Sequence, residues 1–139
     1  MITDELKAPP HNLEAEEKVI ATCINSEDGS YYDEISHIVS PDDFFQLRHK
    51  ILFGAVKSIC DSNRPLNEVS AMEYIKSVNG TDEIGGMVGM MRLMDKVTTP
   101  LDFTFCAKTV SEKSKLRNVI RSCRLARERL KLKLLVPMR

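Results

Sequence analysis

Three groups of residues have types and spacings that could do chemistry. Gly85-Gly86-Met87-Val88-Gly89 has the outline of a phosphate loop. Such a loop works only between a strand and a helix and with a following Lys-Ser/Thr, and neither is present, so the segment predicts a helix turn with a close backbone approach. Glu34-x-x-His37 has the spacing of half a di-metal carboxylate site, but no second helix supplies the other half. His11 and His49 have no acidic partner at ligand spacing, and surface or capping histidines follow. Cys23, Cys60, Cys106 and Cys123 are far apart, contain no CxxC, and three occupy apolar positions of helical patterns. That pattern predicts buried reduced thiols rather than disulfides, in the cytosol. With no GxSxG element and no groupable Ser, His and Asp, no catalytic residue, cofactor or metal ligand is expected.

The elements around these residues read as helices. The dominant one is Leu101–Val136, a stretch with no Pro and no Gly. Its apolar residues Leu116, Val119, Ile120, Cys123, Ala126, Leu130 and Leu134 recur every three or four positions, which makes one stripe along a rod. A small domain cannot cover a stripe that long. The rod therefore calls for a partner helix, from the same chain or from a second copy.

Upstream, residues 1–10 read as a flexible lead ending at Pro9-Pro10, and Asn12 then caps a helix with acids in its first turns. A second segment spans Tyr32–Val39. Ser40-Pro41-Asp42-Asp43 is a helix start, and a helix follows over about Leu47–Ser62. Asn67 caps a helix through Val78 with Val69, Met72 and Ile75 inward, and Asn79-Gly80 stops it in a left-handed turn. Met87, Val88, Met90, Met91, Leu93 and Met94 form a short apolar helix, read as core although methionines also make adaptable binding surfaces. Thr98-Thr99-Pro100 then starts the rod. Nothing alternates with period two, so the fold class is all-α, a compact helical head (1–99) followed by a long projecting arm (100–139).

The 20 bases and 20 acids cancel, but unevenly. Residues 1–100 carry 17 acids and 9 bases, a net of −8; residues 101–139 carry 3 acids and 11 bases, a net of +8. An acidic head on a basic rod favours head-to-tail or head-to-partner docking, or a rod lying near phosphate; a merely solvated basic face is the plainer alternative. No run is long and apolar enough for a transmembrane helix, and the start MITDELKAPP carries acids where a secretory signal carries bases.

Taken together, four stretches resemble the N-terminal domain of DnaB-type replicative DNA helicases. Pro9–Glu16 is similar to the family's PPHSLEAE opening; Ser40–Phe45 is followed in order by His49 and Ile51-Leu52-Phe53. Ile84-Gly85-Gly86 leads through Leu93 to Thr99-Pro100, and Val110–Arg117 is close to the family's IVxEKSxLR run. The match covers about residues 8–130. It implies an α-helical collar domain with a protruding helical hairpin, assembled as dimers and as a hexameric trimer of dimers. It also implies recruitment of a DnaG-type primase and a helicase loader, with DNA engaged only indirectly and no membrane. The family's ATPase motor is a separate C-terminal domain, so the resemblance implies a non-enzymatic collar, either a fragment or a truncated protein.

Carried over by position, Glu14, Ile120 and Ala126 match the family's primase-facing surface, and Gly89 stands where the family has an aromatic. The expected oligomerisation residues are Leu116, Val119, Ile120, Cys123 and Leu130. Where the family turns its hairpin with Gly or Asp-Pro, this chain reads Leu130-Lys131-Leu132-Lys133-Leu134-Leu135-Val136-Pro137, which implies pairing between chains. Two alternatives stand beside this reading: nucleic-acid binding by the basic arm, and a phage product that mimics the collar to block a host helicase, primase or loader.

Overall fold

The computed structural model describes residues 8–26 and 28–135; the expected lead before Ala8 and the tail from Val136 lie outside the described residues. Seven helices and one 3-10 turn follow one another, and no strand occurs among the described residues. They are α1 (Leu13–Asn25), α2 (Ser30–Ile35), the turn Pro41–Asp43, α3 (Leu47–Asp61), α4 (Glu68–Ser77), α5 (Thr81–Ile84), α6 (Gly86–Met94) and α7 (Pro100–Leu135).

The hub is α1. Asn12 caps it by accepting the Ala15 N–H, and all positions from Val19 to Ile24 are buried. A helix buried on every side must be surrounded, and α1 packs against α2, α3, α6 and α7. Phe44 and Phe53 meet at 4.8 Å between ring centroids beneath it, and Tyr31 meets Phe103 edge-on at 4.9 Å. This last contact brings α7 into the core: Phe103, Cys106, Ala107 and Val110 are all buried. The helix thus belongs to the head for its first half and leaves it for its second.

Several expectations need correction. Ser40-Pro41-Asp42-Asp43 makes only a 3-10 turn, closed by the Asp43 carboxylate accepting the Ser40 N–H; the chain is extended at Phe44 so that its ring can enter the core. Val69 faces solvent at 68% exposure, and Ala71 takes the inward place in α4. The left-handed residue after α4 is Asn79 (φ 59), not Gly80. Gly80 is required for a different reason: a Cβ there would come within 2.9 Å of Ile51. The methionine helix is split, with Met90 and Leu93 buried and Met87, Val88 and Met91 exposed.

His49 does have an acidic partner. Its Nδ1 lies 2.7 Å from Glu16 Oε1, 33 residues away in sequence, and both residues are 1% exposed. Glu16 Oε2 accepts the Phe45 N–H at 2.8 Å. Arg48 Nε–H approaches His49 Nε2 at 3.4 Å, so the hydrogen-bond pattern assigns the ring proton to Nδ1. A single buried carboxylate therefore ties α1, the 45–46 segment and α3 together.

Candidate protein-interaction surface

Two sets of contacts fix the rod to the head. At its root, Asp102 accepts from Lys18 Nζ at 3.2 Å and from the Thr98 hydroxyl at 2.7 Å, while the Thr98 N–H donates to Thr22 Oγ1. The Thr98 hydroxyl and the Lys18 ammonium beside it hold the Asp102 carboxyl below its ordinary pKa, and the Asp102 hydrogen bond raises that of Lys18.

Further along, Arg117 donates to the Pro10 carbonyl at 2.8 Å and to the Asp43 carbonyl at 2.6 Å. Its guanidinium lies 5.6 Å from the centroid of Phe45, on which His11 stacks at 4.3 Å. The Ser114 hydroxyl completes the clasp by donating to Asp43 Oδ1. Hydrogen bonds from a charged donor contribute roughly 1.5–3 kcal/mol each. Arg117→Ala should therefore loosen this junction by about 2 kcal/mol or more, read as faster amide exchange over residues 100–117 than in the unsubstituted chain.

Beyond Ile120 no other part of the described chain covers the rod, and residues 121–135 are all exposed. The stripe is bare: Val119 is 59% exposed, Leu130 58% and Leu134 78%. Nothing in the described chain folds back over it. The stripe also starts earlier than the sequence suggests, since Leu101 and Phe105 lie on the same outward face and are exposed. Thr109 and Glu112 interrupt the pattern there, and the inward-facing Phe103, Cys106 and Val110 dominate that part of the sequence.

The residues carried over from the family do not form one surface. Leu116, Val119, Cys123 and Leu130 share the outward face of α7, with Ile120 half-buried beside them. Ala126 is exposed on the same distal half, whereas Glu14 is on the first turn of α1, its carboxylate 3.5 Å from Lys18 Nζ. Gly89 is inside the α5–α6 junction. Gly85 (φ 83) and Gly86 (φ 64) reverse the chain there, and a Cβ on Gly89 would fall on the Ile84 carbonyl oxygen. That geometry is a helix reversal, not a phosphate cradle. Glu34 and His37 are exposed, and no metal-ligating cluster occurs among the described residues.

The described cysteines are free thiols. Burial pushes Cys23 and Cys106 above the ordinary thiol range; it also pushes half-buried Cys60 up to about 11, aided by Asp33 and Asp61. Cys123 is exposed on the rod. At high dilution near pH 8 a thiol reagent should modify one cysteine per chain quickly, Cys123, and reach Cys23 and Cys106 only on unfolding. Mass mapping of the labelled peptides checks this.

The family model described as "DnaB-like helicase N terminal domain" matches residues 8–112. Among curated relatives, "Replicative DNA helicase DnaB" of Geobacillus stearothermophilus is 30% identical over 116 residues, covering 84% of this chain and 25% of that protein. "Replicative DNA helicase DnaC" of Bacillus subtilis (strain 168) is 29% identical over 122 residues, covering 88% of this chain and 26% of its own length. This chain thus spans about a quarter of the relatives it matches. The solved N-terminal domain of DnaB helicase from Mycobacterium tuberculosis superposes with a TM-score of 0.86 at 21% identity, covering 94% of this chain and 91% of that one, which establishes the fold.

Proposed function

The chain belongs to the family of DnaB-like helicase N-terminal domains, and on that premise we propose that it is a non-catalytic assembly and recruitment domain. Its copies join through the rod, as dimers and in the ring of a replicative helicase, and the assembled surface recruits a DnaG-type primase and a helicase loader. One observation carries the reading: the rod presents a bare apolar stripe on the side facing away from its own head. Uncovered apolar area of this extent marks an interaction site, and burying it between helices supplies the free energy of association. The Gly85-Gly86 segment is consumed by a helix reversal, so it offers no phosphate loop for nucleotide chemistry.

Ile120→Asp combined with Cys123→Asp places one carboxylate in the stripe and another at its half-buried edge. The double variant should be monomeric by light scattering where the unsubstituted chain associates; a variant still oligomeric at the same concentration refutes the reading. The basic flanks of the stripe favour one alternative, direct binding of nucleic acid. Residues 113–135 hold nine bases and one acid but no aromatic ring on which an unpaired base could stack. Phosphate binding would show a steep fall of log affinity with log salt, and no binding at low salt removes it.

A further inference from the structure

The bases of α7 fall into two rows beside the apolar stripe, with Arg127 at the stripe's edge. With about 3.6 residues per turn, Lys113, Arg117, Arg121, Arg124 and Lys131 share one side of the helix, about a third of a turn from the stripe. Lys115, Arg129 and Lys133 share a second side, about a quarter of a turn from it in the other direction. Covering the stripe therefore leaves both rows open, and the basic flanks need not compete with assembly. We propose that the first row is a ridge that binds the phosphate backbone of duplex nucleic acid, whatever its base sequence, while the stripe is engaged elsewhere. This goes beyond the assembly reading and does not depend on it.

The first row carries charge that the chain itself leaves unanswered. Arg121 and Arg124 are exposed, and among the described residues neither makes an ion pair or a hydrogen bond. The one acid in the stretch, Glu128, lies 3.9 Å from Lys131. Like charges three and four residues apart destabilise an isolated helix, so the row has a cost that nothing in the described chain offsets. The row also has a defined start. Lys50, Arg117, Asn118 and Arg121 line a hollow of about 550 Å3 at the corner between head and rod. Of the two carboxylates there, Asp43 is already engaged by the Ser40 N–H and the Ser114 hydroxyl, which leaves Asp42 against three cations.

The chemistry of the row selects its partner. From Arg117 to Lys131 it runs about 21 Å at 1.5 Å per residue, and a duplex offers one negative charge per about 1.7 Å of its axis, so each base in the row finds a phosphate. A guanidinium fork matches phosphate oxygens in pairs, and Arg121 and Arg124 supply two such forks on adjacent turns. No aromatic ring occurs in residues 113–135 on which an unpaired base could stack, so the denser charge of the duplex decides over a single strand. Residues 1–100 carry a net of −8, and this repulsion keeps the polyanion on the rod, outside the clasp.

Fluorescence anisotropy of the full chain with a short labelled DNA duplex of mixed sequence, over a salt series, tests the proposal. Each neutralised phosphate adds about −0.9 to the slope of log affinity against log salt, so Arg121, Arg124 and Lys131 together give about −3. Arg121→Gln with Arg124→Gln should bring the slope to about −1 and weaken binding at least about tenfold at about 50 mM salt. Lys115→Gln with Lys133→Gln removes the same charge from the other row and should weaken binding less than about threefold. Glutamine is close to arginine and lysine in helix propensity and all four positions are exposed, so both double variants keep the fold. Equal losses from the two double variants overturn the ridge, because the charge then acts as a whole. No binding at low salt, tighter binding of a single strand, or equal displacement by polyglutamate of matched charge also overturns it. Light scattering keeps the two readings apart: the Arg121→Gln, Arg124→Gln chain should associate as the unsubstituted chain does. A chain that binds duplex yet stays monomeric refutes the assembly reading alone.

Discussion

Glu16→Ala should bring the head close to unfolding, with a loss of about 3–5 kcal/mol in urea titrations. The side chain is 1% exposed and accepts two hydrogen bonds, from His49 Nδ1 and from the Phe45 N–H. Alanine removes the acceptor and leaves a buried ring nitrogen and a part-buried backbone N–H without partners, in addition to a cavity. Glu16 and His49 are each 1% exposed, so little solvent is at hand to replace the lost partners. Glu16→Gln is the informative comparison. Its amide oxygen can still accept one of the two bonds, and the loss should be less than half as large. Equal losses for the two variants would show that the carboxylate charge, not hydrogen-bond satisfaction, holds this part of the head.

Gly89→Ala is the second large effect, about 3 kcal/mol or more by thermal or denaturant unfolding. The atoms a methyl group would strike are the Ile84 carbonyl oxygen and carbon, both backbone, so no side chain can rotate away. Relief requires opening the α5–α6 junction, which should appear as faster amide exchange across residues 81–94. Gly86→Ala is the control: its added Cβ meets nothing, and only the left-handed backbone (φ 64) is penalised, by about 1–2 kcal/mol. This contrast gives Gly89 a steric role.

Much of the fold could be read from local chemistry. The side chains of Asn12 and Asn67 cap their helices, and the Thr99 hydroxyl accepts the Asp102 N–H just inside Pro100, because caps depend only on residues three apart. What stayed hidden depends on residues far apart. Glu16 read as an acid favouring a helix start, and only the packing of α3 against α1 turns it into a buried acceptor for His49. Val69 and Met91 have the spacing of core residues, but α4 and α6 lie at the edge of the head with nothing outside them. The stripe on the rod was legible from Leu116 onward, where its steps of three and four stand out although Leu125, Leu132 and Leu135 are exposed off it. Toward Leu101 it was masked, since there the same helix has a second apolar face turned to the core.

The clasp at Arg117 has a mechanical consequence. All the grip on α7 is proximal, and the eighteen residues beyond the guanidinium form an unsupported lever of about 27 Å at 1.5 Å per residue. A tilt of about 10° at the fulcrum would swing the tip by about 5 Å, roughly one helical turn. The direction in which the lever points is therefore set at its fulcrum by one guanidinium gripping two carbonyl oxygens and an aromatic ring.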